Sequence, residues 1–260
     1  MACEKNVLVP KEEAHSYLPD PMIKIHVSEG DGCKTFNVHK TLLTSRSRFF
    51  ANALTDGTSW REAEDGAVRL PEDDPSIFTL YLEILYHNRI PVRESEAKAD
   101  QAECQKDIKA LQQAAFDSTL NQYETLGKLY VLCDMLQDDR ASNLVISAFV
   151  EISSTLNPYT KKNHHPGRDP VGIVYRNTPA SDPLRKYLTE LYVFHAEEHW
   201  FSTMSANDYP AEFLFDVMAG MARARSKPSA ASRLRDASNY HRKIEGEEDN
   251  AGKDTLSNSA

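Results

Sequence analysis

Histidines, cysteines and paired carboxylates are the residues of this chain that could do chemistry, and their spacing limits what that chemistry could be. His195-Ala196-Glu197-Glu198-His199 sets two histidines four residues apart. On a helix that spacing puts both imidazoles on one face, where they could hold a metal. Zinc-peptidase chemistry needs a glutamate directly after the first histidine, and Ala196 stands there. The pair therefore reads as two ordinary helix-surface histidines. His164-His165 sits in a loop with Pro166 and Gly167, and joins a metal site only if the chain folds back on itself. His39 could act as a base, but no serine and aspartate are arranged around it as a triad requires. It reads as a junction residue making structural hydrogen bonds.

The four cysteines, Cys3, Cys33, Cys104 and Cys133, are too far apart in sequence for a metal knuckle or a redox pair, and read as reduced thiols. Asp73-Asp74 and Asp138-Asp139 fall where helices should start, so capping accounts for them. No glycine-rich nucleotide loop is present. The expectation is a protein without catalytic residues, metal, cofactor or small-molecule substrate. A formal net charge of -9 argues against a whole-chain nucleic-acid binder. The basic stretch from Arg223 to Lys243 is partly cancelled by Glu245, Glu247, Glu248 and Asp249. No apolar run reaches the roughly 20 residues of a membrane span, and Met1 to Asn6 opens no signal peptide. A cytoplasmic or nuclear protein, with no membrane partner, is expected.

The elements that must position these residues follow from periodicity. In Met22–Val27, Ile23, Ile25 and Val27 share one face, as in a half-buried strand. Ser28 to Gly32 is a turn whose glycines can supply positive φ, and Cys33 to His39 returns as the second strand of a hairpin with Phe36 and Val38 inward. Lys40 to Leu54 reads as one amphipathic helix, with stripes Leu42/Phe49/Ala53 and Leu43/Phe50/Leu54, and with Arg46 and Arg48 on the wetter side. Ala67–Leu70 is a short strand. Asp74-Pro75 opens a helix that runs to about His87, and Asn88 can end it in the left-handed region. Pro91 to Gln122 is polar with a thin apolar stripe, an exposed insertion or loosely docked helix. Tyr123 to Ile152 is strongly helical and turns a corner at Asp138-Asp139-Arg140. Ser153 to Gly172 reads as loop, Asp182-Pro183 opens another helix, and a last helix starts near Pro210. From Arg225 onward too few apolar residues remain to offset ordering entropy, which predicts disorder.

Order of elements and residues together resemble the BTB/POZ family. The motif runs through Phe36-Asn37-Val38-His39-Lys40, Leu42-Leu43 and Ser47-Arg48-Phe49-Phe50. It continues in Leu70-Pro71-Glu72-Asp73-Asp74-Pro75, Phe78 and Tyr81-Leu82-Glu83-Ile84-Leu85-Tyr86. Trp60-Arg61-Glu62 and Gly172–Thr178 with Pro183-Leu184-Arg185 are similar to the fungal branch of that family. The resemblance implies an α+β fold, a small three-stranded sheet flanked by a helix cluster, followed here by a C-terminal helical region. It divides the chain into a flexible arm at 1–19, a BTB/POZ domain at 20–152 with a polar insertion at about 93–122, a loop and helical region at 153–222, and a disordered tail at 223–260.

It also implies a non-catalytic interaction module that self-associates, commonly as a homodimer, or recruits a protein partner. Ile23, Ile25, Leu42, Leu43, Phe49, Phe50, Ala53 and Leu54 are the candidate surface for that role, and Phe36, His39, Lys40, Ser47, Trp60, Leu70, Pro71 and Tyr86 carry the family motif. Adaptor of a cullin-based ubiquitin ligase is the second reading, set behind the first because the insertion rewrites a region that contributes to the cullin surface in cullin-binding members. A nuclear protein touching nucleic acid through its basic tail is the third.

Overall fold

The structure is a computed structural model, and it describes residues 19–54, 67–93, 108–198, 200, 205 and 207–225. The expected arm at 1–18, the Trp60 motif, residues 94–107 of the expected insertion and the tail from 226 lie outside the described residues. The chain divides into two units, residues 1–220 and 221–260, and of the second only 221–225 are described.

Strand β1 (Met22–Val27) buries Ile23, Ile25 and Val27 and leaves Met22 and Lys24 exposed. Period-two alternation dictates this, because successive side chains leave opposite faces of a pleated strand. Ser28 (φ 72°) and Gly30 (φ 61°) take the left-handed conformations of the following turn, so a serine shares a task expected of the glycines alone. Strand β2 (Lys34–His39) then runs antiparallel to β1, with Phe36 opposite Ile25. Strand β3 (Ala67–Leu70) pairs with the other edge of β1 in parallel, with Val68 opposite Ile25. The order β2-β1-β3 makes β1 the central strand of a small mixed sheet.

The single helix expected over 40–54 is two helices, α1 (Lys40–Arg46) and α2 (Arg48–Ala53). The break is at Ser47, whose backbone is extended (φ -107°, ψ 120°). Its hydroxyl accepts from the Phe50 N–H at 3.2 Å and donates to the Leu136 carbonyl at 2.5 Å. Serine competes with helical hydrogen bonding through its side chain, and here a distant carbonyl completes the exchange. Apolar spacing carries across the break, which is why periodicity alone reads through it.

Helix α3 (Pro75–His87) starts as expected. Asp74 accepts from Ser76 N–H at 2.7 Å, Pro75 occupies the first turn, and Asn88 (φ 50°) closes the end. Ile77, Phe78, Tyr81, Ile84 and Leu85 face inward. Helix α4 (Ile108–Met135) takes up the helical alternative for this stretch and extends it: residues 108–122 are the first turns of one 28-residue helix. Thr119 is already buried there, on a face too polar to register as an apolar stripe. Gln137 (φ 55°) ends the turn and Asp138 caps α5 (Asp139–Ser154), accepting from Ala141 N–H at 2.9 Å.

The loop expected to reach Gly172 stops at Gly167, where α6 (Arg168–Asn177) begins. α6 lies on α4 at the buried Gly127, where a Cβ would make only ordinary contact with the Pro170 backbone at 3.6 Å. Asp182 caps α7 (Pro183–His195) through the Leu184 and Arg185 N–H groups. The last helix, α8 (Ala211–Ala224), approaches α7 so closely at Gly220 that a Cβ would come within 2.5 Å of Val193.

Candidate interaction site

The structure places six of the eight candidate surface residues in the core. Ile23, Ile25, Leu43, Phe50, Ala53 and Leu54 are all buried, Ile25, Leu43 and Phe50 completely. Burying the isoleucine, leucine and phenylalanine side chains stabilises the fold by about 1.5–3 kcal/mol each, and leaves none of the six open to solvent. Leu42 and Phe49 are half-buried. Phe49 packs edge-on against Phe50 with ring centroids 5.2 Å apart, so one face of the pair supports the other. Met22, in the Met22–Val27 strand expected to contribute to this surface, is 55% exposed. Its register opposite His39, with the Lys40 N–H donating to Pro21 O at 3.0 Å, sets it beside the start of α1.

The helices that carry Leu42 and Phe49 are held at the α4–α5 corner. Phe49 N–H donates to Leu136 O at 3.4 Å, alongside the Ser47 bond to the same carbonyl. Arg46, expected on the wetter side, has a side chain only 11% exposed and lies 3.4 Å from the fully buried Asp138 carboxylate. Tyr81 donates to that carboxylate at 3.3 Å, and burial pushes the Tyr81 phenol well above its usual range. Cys133 is buried nearby, its thiol also pushed up, chiefly by burial. Fully buried, this thiol packs in the core at the corner.

The motif residues occupy the joints of the same scaffold. The Phe36 ring packs on Phe78 at 5.1 Å, tying β2 to α3. His39 donates its backbone N–H to Tyr86 Oη at 3.2 Å and pairs through Nδ1 with the same oxygen at 2.9 Å. That is a strand-to-helix junction held by α3. Leu70 is buried and Pro71 exposed where β3 turns toward α3.

Of the two histidines expected on one helix face, only His195 is described. α7 ends at His195, because Ala196 leaves helical geometry (φ -68°, ψ 129°), and His199 lies outside the described residues. His165 has instead come across from the α5–α6 loop, and its ring stacks on His195 with centroids 5.1 Å apart. A cavity of about 1010 Å³ opens beside this pair, lined by α4, the loop, α6 and Tyr192. Among the described residues no three metal-ligating side chains converge.

No helix among the described residues is long and apolar enough to cross a membrane. No curated protein matches the chain, so the fungal form of the motif rests on no relative. The family comparison does give a match, to the BTB/POZ domain, over residues 23–115. That span takes in the sheet, α1 to α3 and the first turns of α4, including most of the stretch read as an insertion. The matched residues supply both the fold and the class: residues 23–115 of this chain are a BTB/POZ domain, a protein–protein interaction module.

Proposed function

We propose that the chain acts without catalysis, as an interaction protein that self-associates through its BTB/POZ domain. One observation carries this reading. Within an otherwise buried apolar set, Leu42 and Phe49 keep part of their surface in water, near a sheet end where Met22 is more than half exposed. A single exposed apolar residue is ordinary, but the exposed Met22 with the half-buried Leu42 and Phe49 on adjacent segments makes a site that contact with another surface would dry. A stable interface buries about 1,600 Å² in total, so these three would be the centre of a larger patch. Light scattering on the full chain across a concentration series tests the reading. A mass of two chains that falls on dilution is expected, and a strict monomer at high concentration counts against it.

Recruitment of a different protein is the alternative use of the same surface. Affinity capture with the full chain and with a Leu42→Ala/Phe49→Ala chain separates the two. A partner held by the first and lost by the second, with no self-association in either, favours recruitment.

A further inference from the structure

The loop between α5 and α6 lies across two helices as a strap. Tyr123 of α4 donates to His164 O at 2.8 Å, and Tyr192 of α7 donates to Pro166 O at 2.8 Å. Between these ties His165 sets its ring on His195, the last residue of α7, with centroids 5.1 Å apart and planes 25° from parallel. The Trp200 indole lies 5.4 Å from the His165 ring. The Nδ1 atom of His165 is buried with no hydrogen-bond partner. Neutral imidazoles stack without penalty, whereas two imidazolium ions at this distance repel.

We propose that His165, stacked on His195, is a pH-sensitive latch, which holds the strap on α7 while the His165 ring is neutral and releases it when that ring takes up a proton.

Charged groups surround the stacked rings. Facing the pair across the cavity are Asp117 and Glu124 of α4, Asp169 of α6, and Glu197 beyond α7, against Lys162 of the strap and Arg168 of α6. Glu124 is paired with Lys128 at 2.7 Å, and Asp169 lies 3.6 Å from Arg168. The proton that would charge this contact must enter the His165 ring, which is held between the strap and α7. Burial foremost, then His195 and His164, hold that ring below the usual histidine range. His164 in the same strap is lowered too, by burial and then Lys162. Tyr192 and Tyr209, the phenols beside the cavity, are pushed up by burial and stay protonated throughout.

The sign follows by linkage. A ring kept neutral by the fold gains its proton only on release, so release takes up protons. The strap is closed above the ordinary histidine value of about 6.5, and below it the opening constant grows up to tenfold per pH unit.

Tryptophan emission and far-ultraviolet circular dichroism of the full chain from pH 8 to pH 5 test the latch. An emission step below about pH 6.5, with helical content retained, is the expected result. His165→Gln removes the ring and its proton site and should abolish the step, as should His165→Phe, with dichroism reporting whether each is folded. His195→Phe keeps a ring for His165 to stack on and should leave a step, because burial of His165 is the foremost cause of its neutrality. His87→Gln, at the exposed end of α3, should leave the step in place. Absence of a step in the parent chain, or an unchanged step in a folded His165 variant, overturns the proposal.

Discussion

Arg46 and Asp138, 92 residues apart in sequence, meet at 3.4 Å with the carboxylate fully out of water. The same carboxylate caps α5 and accepts from Tyr81. One side chain therefore joins α1, α3 and the α4–α5 corner. Removing either member of a buried pair strands the other, at a cost of about 3–5 kcal/mol. Arg46→Ala and Asp138→Ala should each lower stability on that scale in urea unfolding. The double variant should cost less than the sum, because no uncompensated charge is left. Simple additivity would show that the contact is not coupled.

The start of α3 should give a signature in acid. The Asp74 carboxyl is held below its usual range by its hydrogen bonds to Ser76, side chain first and then backbone. Its contribution is present above the unfolded value near 3.9 and is lost as pH falls through the folded value. Neighbouring Asp73 is pushed up, by burial and then by Glu72, so its effect has the opposite sign: stability is gained as pH falls through its folded value. Asp74→Ala should cost about 1 kcal/mol at pH 7, as capping residues do, and the loss should shrink toward pH 3. Asp73→Asn should remove the opposing effect and steepen the acid loss. Unfolding midpoints at pH 3, 4, 5 and 7 measure both.

Arg185 is the joint of the C-terminal helices. Its buried guanidinium donates to the Tyr175 and Thr178 carbonyls, to Thr178 Oγ1 at 3.1 Å and to Glu212 at 2.8 Å, and stands 4.4 Å from the Tyr175 ring centre. Lysine carries the charge but not the planar fork. Arg185→Lys should therefore still cost about 2–3 kcal/mol through carbonyls left unpaired. Glu212→Gln should cost little, since that side chain is 73% exposed. Thermal melts of both variants against the parent decide it.

Local chemistry made much of this fold legible. Asp74-Pro75, Asn88, Asp138 and Asp182-Pro183 each mark a boundary with residues whose backbone preference or capping oxygen acts within three positions, and the structure ends or begins a helix at every one. The failures share a cause. Ser47 breaks a helix because Leu136 lies opposite it, and Arg46 is buried because Asp138 is there. The first turns of α4 pack through Thr119, and farther along through Gly127, small or polar residues that give no apolar stripe. The His165–His195 stack spans 30 positions and depends on a loop whose course no spacing encodes. The candidate surface was half legible: the apolar set was visible, but which members turn outward depends on the break at Ser47.

Self-association through Leu42 and Phe49 is the central claim, and sedimentation of the full chain beside two variants tests it most directly. The parent should sediment as a concentration-dependent dimer. Leu42→Ala/Phe49→Ala should weaken that dimer at least about tenfold, a change of 1.4 kcal/mol in free energy, and keep its melting transition within a few degrees. Phe50→Ala should instead lower stability by about 3–5 kcal/mol, because Phe50 is fully buried. A parent that stays monomeric at high concentration, or a double variant that associates as tightly as the parent, would contradict the account.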